Sequence, residues 1–76
     1  MEQALRTIIE SIVSDPTQVS INEVEGERSV VYEVKVSDAD MGKVIGREGR
    51  IAKAIRTVMK AVAAKENKRV TIEFIG

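Results

Sequence analysis

Lys43-Val44-Ile45-Gly46-Arg47-Glu48-Gly49-Arg50-Ile51 is the stretch from which the rest of the chain can be read. Two glycines stand three residues apart, after an apolar pair and before an apolar residue, with basic side chains interleaved. Glycine admits backbone that a Cβ blocks, through positive φ or through close approach of another molecule. A strong helical pattern begins directly after Gly49. The stretch therefore reads as a tight glycine turn that opens a helix, with cations at the junction. A helix N-terminus offers free N–H groups and the positive end of the dipole, and with Arg and Lys beside it suits a phosphate. The chemistry expected here is a grip on the backbone of a nucleic acid.

On the C-terminal side, residues 50–66 read as a long helix with Ile51, Ala54, Ile55, Val58 and Val62 as its apolar stripe. At ~100° per residue, Arg50, Lys53, Arg56 and Lys60 fall on roughly the opposite side. Arg50 and Lys53 lie in the first turn after the glycines and are assigned to binding. Arg56 and Lys60 read equally well as a solvated helix face. Ala61, Ala63 and Ala64 permit close packing of a neighbour, either within the chain or across a dimer. A polar turn at 65–68 leads to a strand at 69–75, where Val70, Ile72 and Phe74 alternate with Thr71, Glu73 and Ile75.

On the N-terminal side, residues 38–45 form a short helix that Ser37 or Asp38 can cap, that Gly42 weakens and that Gly46 ends. Residues 29–37 alternate as a strand, with Val30, Tyr32, Val34 and Val36 on one face; Tyr32, among valines, is read as core rather than as a platform for a base. A turn at 25–28 joins it to a strand around Val19 and Ile21. Residues 1–14 form an amphipathic helix with Leu5, Ile8, Ile9, Ile12 and Val13 on one side, stopped at Ser14-Asp15-Pro16. The order is α-β-β-α-α-β. A hairpin followed by one crossover gives an α+β domain with a three-stranded mixed sheet in order 1-2-3 and three helices packed on one face. The last strand is then an edge near the glycine turn.

Composition narrows the chemistry. Residues 1–76 make one small domain. With no cysteine and no histidine, disulfides, thiolate and imidazole catalysis and the usual zinc sites are excluded. No cofactor and no metal are expected; Asp15, Asp38 and Asp40 are read as helix caps. The glycines match neither a P-loop nor a dinucleotide fingerprint, so no enzyme is expected. No apolar run approaches the ~20 residues of a membrane span, and the N-terminus does not read as a signal peptide; the expected location is the cytoplasm. The formal net charge is zero, but unevenly spread: residues 1–40 hold nine acids and three bases, residues 41–60 six bases and one acid. A neutral chain with one basic segment makes a local binding field while its acidic remainder limits non-specific contact.

The wording Val44-Ile45-Gly46-Arg47-Glu48-Gly49-Arg50-Ile51 resembles the V-I-G-x-x-G-x-x-I signature of K-homology (KH) domains, with the spacing after Gly49 one residue shorter. The element order resembles the type II form of that fold, across the whole chain. Gly49-Arg50-Ile51-Ala52-Lys53-Ala54-Ile55-Arg56-Thr57-Val58 is similar to the wording of the KhpA family of small bacterial RNA-binding proteins. The resemblance implies that Gly46, Arg47, Glu48 and Gly49 clamp the backbone of four nucleotides of single-stranded RNA. Val44 and Ile45 are then groove floor, Lys43 and Arg50 its charged lips, and the last strand near Val70 to Ile72 the opposite wall. It also implies a homodimer, a heteromeric complex with KhpB and a role as RNA chaperone or post-transcriptional regulator affecting cell-wall homeostasis and cell shape, with no membrane and no small-molecule substrate. Glu48 departs from a purely basic loop and weakens its attraction for phosphate unless it pairs with Arg50 or Lys43. With one Tyr and one Phe, base stacking contributes little. The other reading is a protein–protein dimerisation module that binds little RNA itself.

Overall fold

The computed structural model describes residues 1–76 and shows an α+β fold in the order α1 (Glu2–Ile12), β1 (Ser20–Glu25), β2 (Ser29–Lys35), α2 (Asp38–Ile45), α3 (Arg50–Ala64) and β3 (Arg69–Ile75). Short 3-10 turns occupy Pro16–Gln18 and Arg47–Gly49. The sheet order is β1-β2-β3, with β1 antiparallel and β3 parallel to β2. β2 is central, and Val30, Tyr32, Val34 and Val36 all turn inward from it and its extension. Leu5 and Ile9 of α1, Val44 of α2, Ile55, Met59 and Ala63 of α3, and Val70 and Ile72 of β3 close over them in one core. Burial, with the Glu23 carboxylate beside it, pushes the Tyr32 phenol up, so it stays neutral.

Several boundaries differ from the sequence reading; β2 ends at Lys35 and α3 at Ala64, each two residues short of it. α1 stops at Ile12 and Val13 is already extended. The first strand begins at Ser20, which leaves Val19 outside it, because Pro16 starts a 3-10 turn whose Thr17 N–H donates to the Asp15 carboxylate. The acids also divide. Asp15 caps that turn as expected, whereas Asp40 caps nothing: it is buried, and its carboxylate accepts from the Ser14 N–H at 2.9 Å, the Asp15 N–H at 3.1 Å and the Ser37 hydroxyl at 3.0 Å. It thereby ties the end of α1 to the start of α2, 25 and 26 residues away in sequence. Ser37 is the N-cap of α2, but its hydroxyl serves Asp40 rather than a helix N–H.

The largest correction concerns α3. Its buried line is Ala52, Ile55, Met59 and Ala63, while Ile51 is 39% and Val58 49% exposed and Ala54 is exposed. The helix is rotated by roughly a quarter-turn from the expected stripe. Two alanines on the inner line let its backbone come close to the sheet, and the bulkier Ile51 and Val58 are left to flank α1. Of the three alanines read as a packing surface, Ala63 packs inside the chain, and Ala61 and Ala64 are exposed.

This rotation predicts that Met59→Ala costs about 2–5 kcal/mol, while Val58→Ala costs less than about 1 kcal/mol; urea denaturation of the two variants measures both. A second prediction concerns Asp40. The Ser14 amide, with the Asp15 amide, the Ser37 hydroxyl and the Lys43 ammonium, holds its carboxyl at about 2, below the ordinary 3.8. A depressed carboxylate contributes stability that is complete above the unfolded value and is lost as pH falls toward the folded one. Between about pH 4 and pH 2, the unfolding midpoint of Asp40→Asn therefore falls less steeply than that of the parent chain.

Candidate nucleic-acid interface

The turn between α2 and α3 is built on backbone that only glycine takes without strain. Gly46 ends α2 at φ 77, ψ 175, and Gly49 precedes α3 at φ 75, ψ 14. The two are needed for different reasons. A Cβ on Gly46 would stand 2.8 Å from the Ile51 Cβ and 2.9 Å from the Ile51 nitrogen, with Ile51 Cγ1 nearer still. A Cβ on Gly49 would meet nothing within 4 Å. Gly46 is thus a packing point and Gly49 a conformational one that faces open space. Between them Glu48 sits at φ 57, ψ 25, left-handed although it carries a side chain.

Arg47, Glu48, Arg50 and Lys53 are all exposed around the head of α3. Glu48 pairs with Arg50 at 3.7 Å, with about three-quarters of each side chain exposed. A pair so exposed contributes little, and Arg47 and Lys53 have no ion-pair partner. Lys43 behaves differently from its expected place as a lip of the groove. Its ammonium bonds the Ser14 hydroxyl and lies 3.5 Å from Asp40, on the α1 side of α2. Val44 is wholly buried, so it anchors α2 to the core rather than flooring a groove; Ile45 is half-buried.

A cavity of about 220 Å³ opens between α3 and β3, lined by Arg56, Lys60, Val70, Thr71 and Ile72. β3 is an edge strand, and its Ile72 carbonyl accepts from Arg56 Nε at 3.2 Å. The Arg56 guanidinium carbon lies 5.4 Å from the centre of the Phe74 ring. Val70 to Ile72, expected as the opposite wall of a groove, thus line one side of this cavity. The quarter-turn of α3 carries Arg56 and Lys60, which the sequence left between two readings, to the β3 side. No cluster of three or more acidic, histidine or cysteine side chains is arranged to hold a metal ion, and no helix is long and apolar enough to cross a membrane.

The model of the KhpA/KhpB KH domain matches residues 2–74. The chain belongs to this KH-domain family. A protein of Clostridium acetobutylicum named RNA-binding protein KhpA is 60% identical over 75 residues, 99% of this chain and 100% of that one. Bearers of the same name from Clostridium perfringens and Borreliella burgdorferi are 57% and 47% identical, over 99% and 96% of this chain and 100% and 89% of theirs. A crystal structure of Era in complex with MgGDPNP and nucleotides 1506–1542 of 16S ribosomal RNA aligns with a TM-score of 0.55 at 19% identity. The alignment covers 92% of this chain but only 27% of that one, and shows a shared fold. The KH signature thus falls on the α2–α3 turn, and the element order on the type II arrangement.

The glycine geometry predicts a graded series. Gly46→Ala costs about 3 kcal/mol, from a left-handed φ together with the clash on Ile51. Gly49→Ala costs about 1 kcal/mol, from φ alone. Glu48→Gly is neutral or stabilising by up to about 1 kcal/mol, since it relieves the same conformation. Thermal unfolding followed by circular dichroism ranks the three.

Proposed function

We propose that this chain binds single-stranded RNA by clamping its backbone at Gly46, Arg47, Glu48 and Gly49. The observation that carries the proposal is the pair of positive-φ glycines at the head of a 15-residue helix, one of them facing open space. Backbone N–H groups at a helix N-terminus without side chains in the way attract phosphate. Arg47, Arg50 and Lys53 add exposed positive charge at the same end, and the relatives are named for RNA binding. Ile45 flanks the clamp, while Lys43 and Val44 contribute through the placement of α2. On the same family footing, the chain acts as an RNA chaperone or post-transcriptional regulator, alone as a homodimer and together with KhpB, with effects on cell-wall homeostasis and cell shape.

Clamping predicts salt-sensitive binding. With three or four phosphates neutralised, log K against log salt has a slope of about −2 to −3 for a single strand. Replacing Arg47 and Glu48 together by aspartate adds repulsion at the clamp, and aspartate tolerates the left-handed backbone at 48. Fluorescence anisotropy with a labelled octanucleotide shows loss of binding, with an unchanged circular dichroism spectrum. Retained affinity in that variant removes the turn from the mechanism.

A second reading is favoured by one observation. Ile8 and Ile12 of α1 meet Ile51, Ala54, Ile55 and Val58 of α3 around a wholly apolar hollow of about 400 Å³. An uncovered apolar face of this kind is a feature of association surfaces. In this reading the chain is mainly a dimerisation module. The two readings are compatible, because two weak clamps on one strand raise avidity. Sedimentation velocity gives a dimer in both readings, and only the first also gives a shift on adding RNA.

A further inference from the structure

Resting on the proposal that this chain clamps single-stranded RNA at its glycine turn, we propose that Arg56 selects the base in the cavity between α3 and β3, favouring guanine over adenine. The cavity has an apolar floor, Val70 and Ile72, suited to the face of one base. Its charged side chains are Arg56 and Lys60, and no acidic side chain lines it. One acceptor on the neighbouring strand, the Ile72 carbonyl, already accepts from Arg56 Nε. What faces a base is therefore dominated by donors.

Arg56 is also held in one orientation. Nε is fixed on Ile72, and the guanidinium plane is steadied by the Phe74 ring. Of the five N–H donors of an arginine, the four on the two terminal nitrogens stay free to point into the cavity as a fork. A fork of donors matches two adjacent acceptors. Guanine presents O6 and N7 side by side, whereas adenine presents N7 beside an amino group that is itself a donor. Adenine in this place sets donor against donor and leaves one terminal nitrogen unpaired. Lysine at 56 keeps the charge but not the fork.

The test uses the full chain and a fluorescent octamer of adenosines, with or without one central guanosine. The guanosine octamer binds about tenfold more tightly than octa-adenosine. Inosine, which keeps O6 and N7, retains the gain; 7-deazaguanosine, which lacks N7, loses most of it. Arg56→Lys brings all four octamers to similar affinity while circular dichroism stays that of the parent. Equal binding of the guanosine and adenosine octamers by the parent chain overturns the role of Arg56 and leaves the backbone clamp standing. A guanosine preference that survives both 7-deazaguanosine and Arg56→Lys overturns it as well. Absence of binding to every octamer overturns the clamp itself, and the base selection with it.

Discussion

The conformation of Gly46 is the constraint on which the other features depend. Its φ of 77 lies where an L side chain is strained, and the space a Cβ would take is filled by Ile51. Because α2 must end there, α3 starts only four residues later, turned to lie back across the sheet. That return path sets β3 beside β2 in parallel and makes it an edge. One backbone conformation thus determines the crossover, the open strand and the cleft between α3 and β3. The same conformation leaves the head of α3 uncovered, and Gly49 keeps it so.

α3 carries three kinds of surface on three sides. Its inner line is small or flexible: Ala52, Ile55, Met59 and Ala63. One flank, Ile51 and Val58, continues an apolar face with Ile8 and Ile12 of α1. The other, Arg56 and Lys60, borders β3. A protein of zero net charge gathers its positive potential along this one helix and the turn before it. Two acids elsewhere serve the architecture: Asp40 holds the end of α1 against α2, and Glu25 pairs with Lys68 between the β1–β2 turn and the approach to β3.

Most of the fold was legible in the sequence, for physical reasons that can be named. The β2 alternation is a period-2 signal with four inward residues, and Gly46 is a helix terminator without ambiguity. The type, order and direction of all six elements followed from such signals. What stayed hidden was side-chain bulk against backbone approach. The apolar pattern of α3 is two overlapping stripes, and the larger residues marked the wrong one because alanine carries little hydrophobic weight. That quarter-turn is also why Arg56 and Lys60 could not be assigned. Asp40 was misread for another reason: its partners, the amides of Ser14 and Asp15, are remote in sequence. Lys43 follows Asp40, lying one turn further along α2 and drawn to Ser14. Of the site, the glycine turn and its exposed cations were readable; the wall of the cleft was readable only through family resemblance.

The central claim is that RNA touches the main chain at the glycine turn. Amide chemical shifts of the isotope-labelled chain, followed while an octanucleotide is added, test it most directly. The account predicts the largest changes at Gly46 to Arg50, smaller ones along Val70 to Ile72, and none at Ile8 and Ile12. Saturable RNA binding with the Gly46 to Arg50 amides unmoved contradicts it.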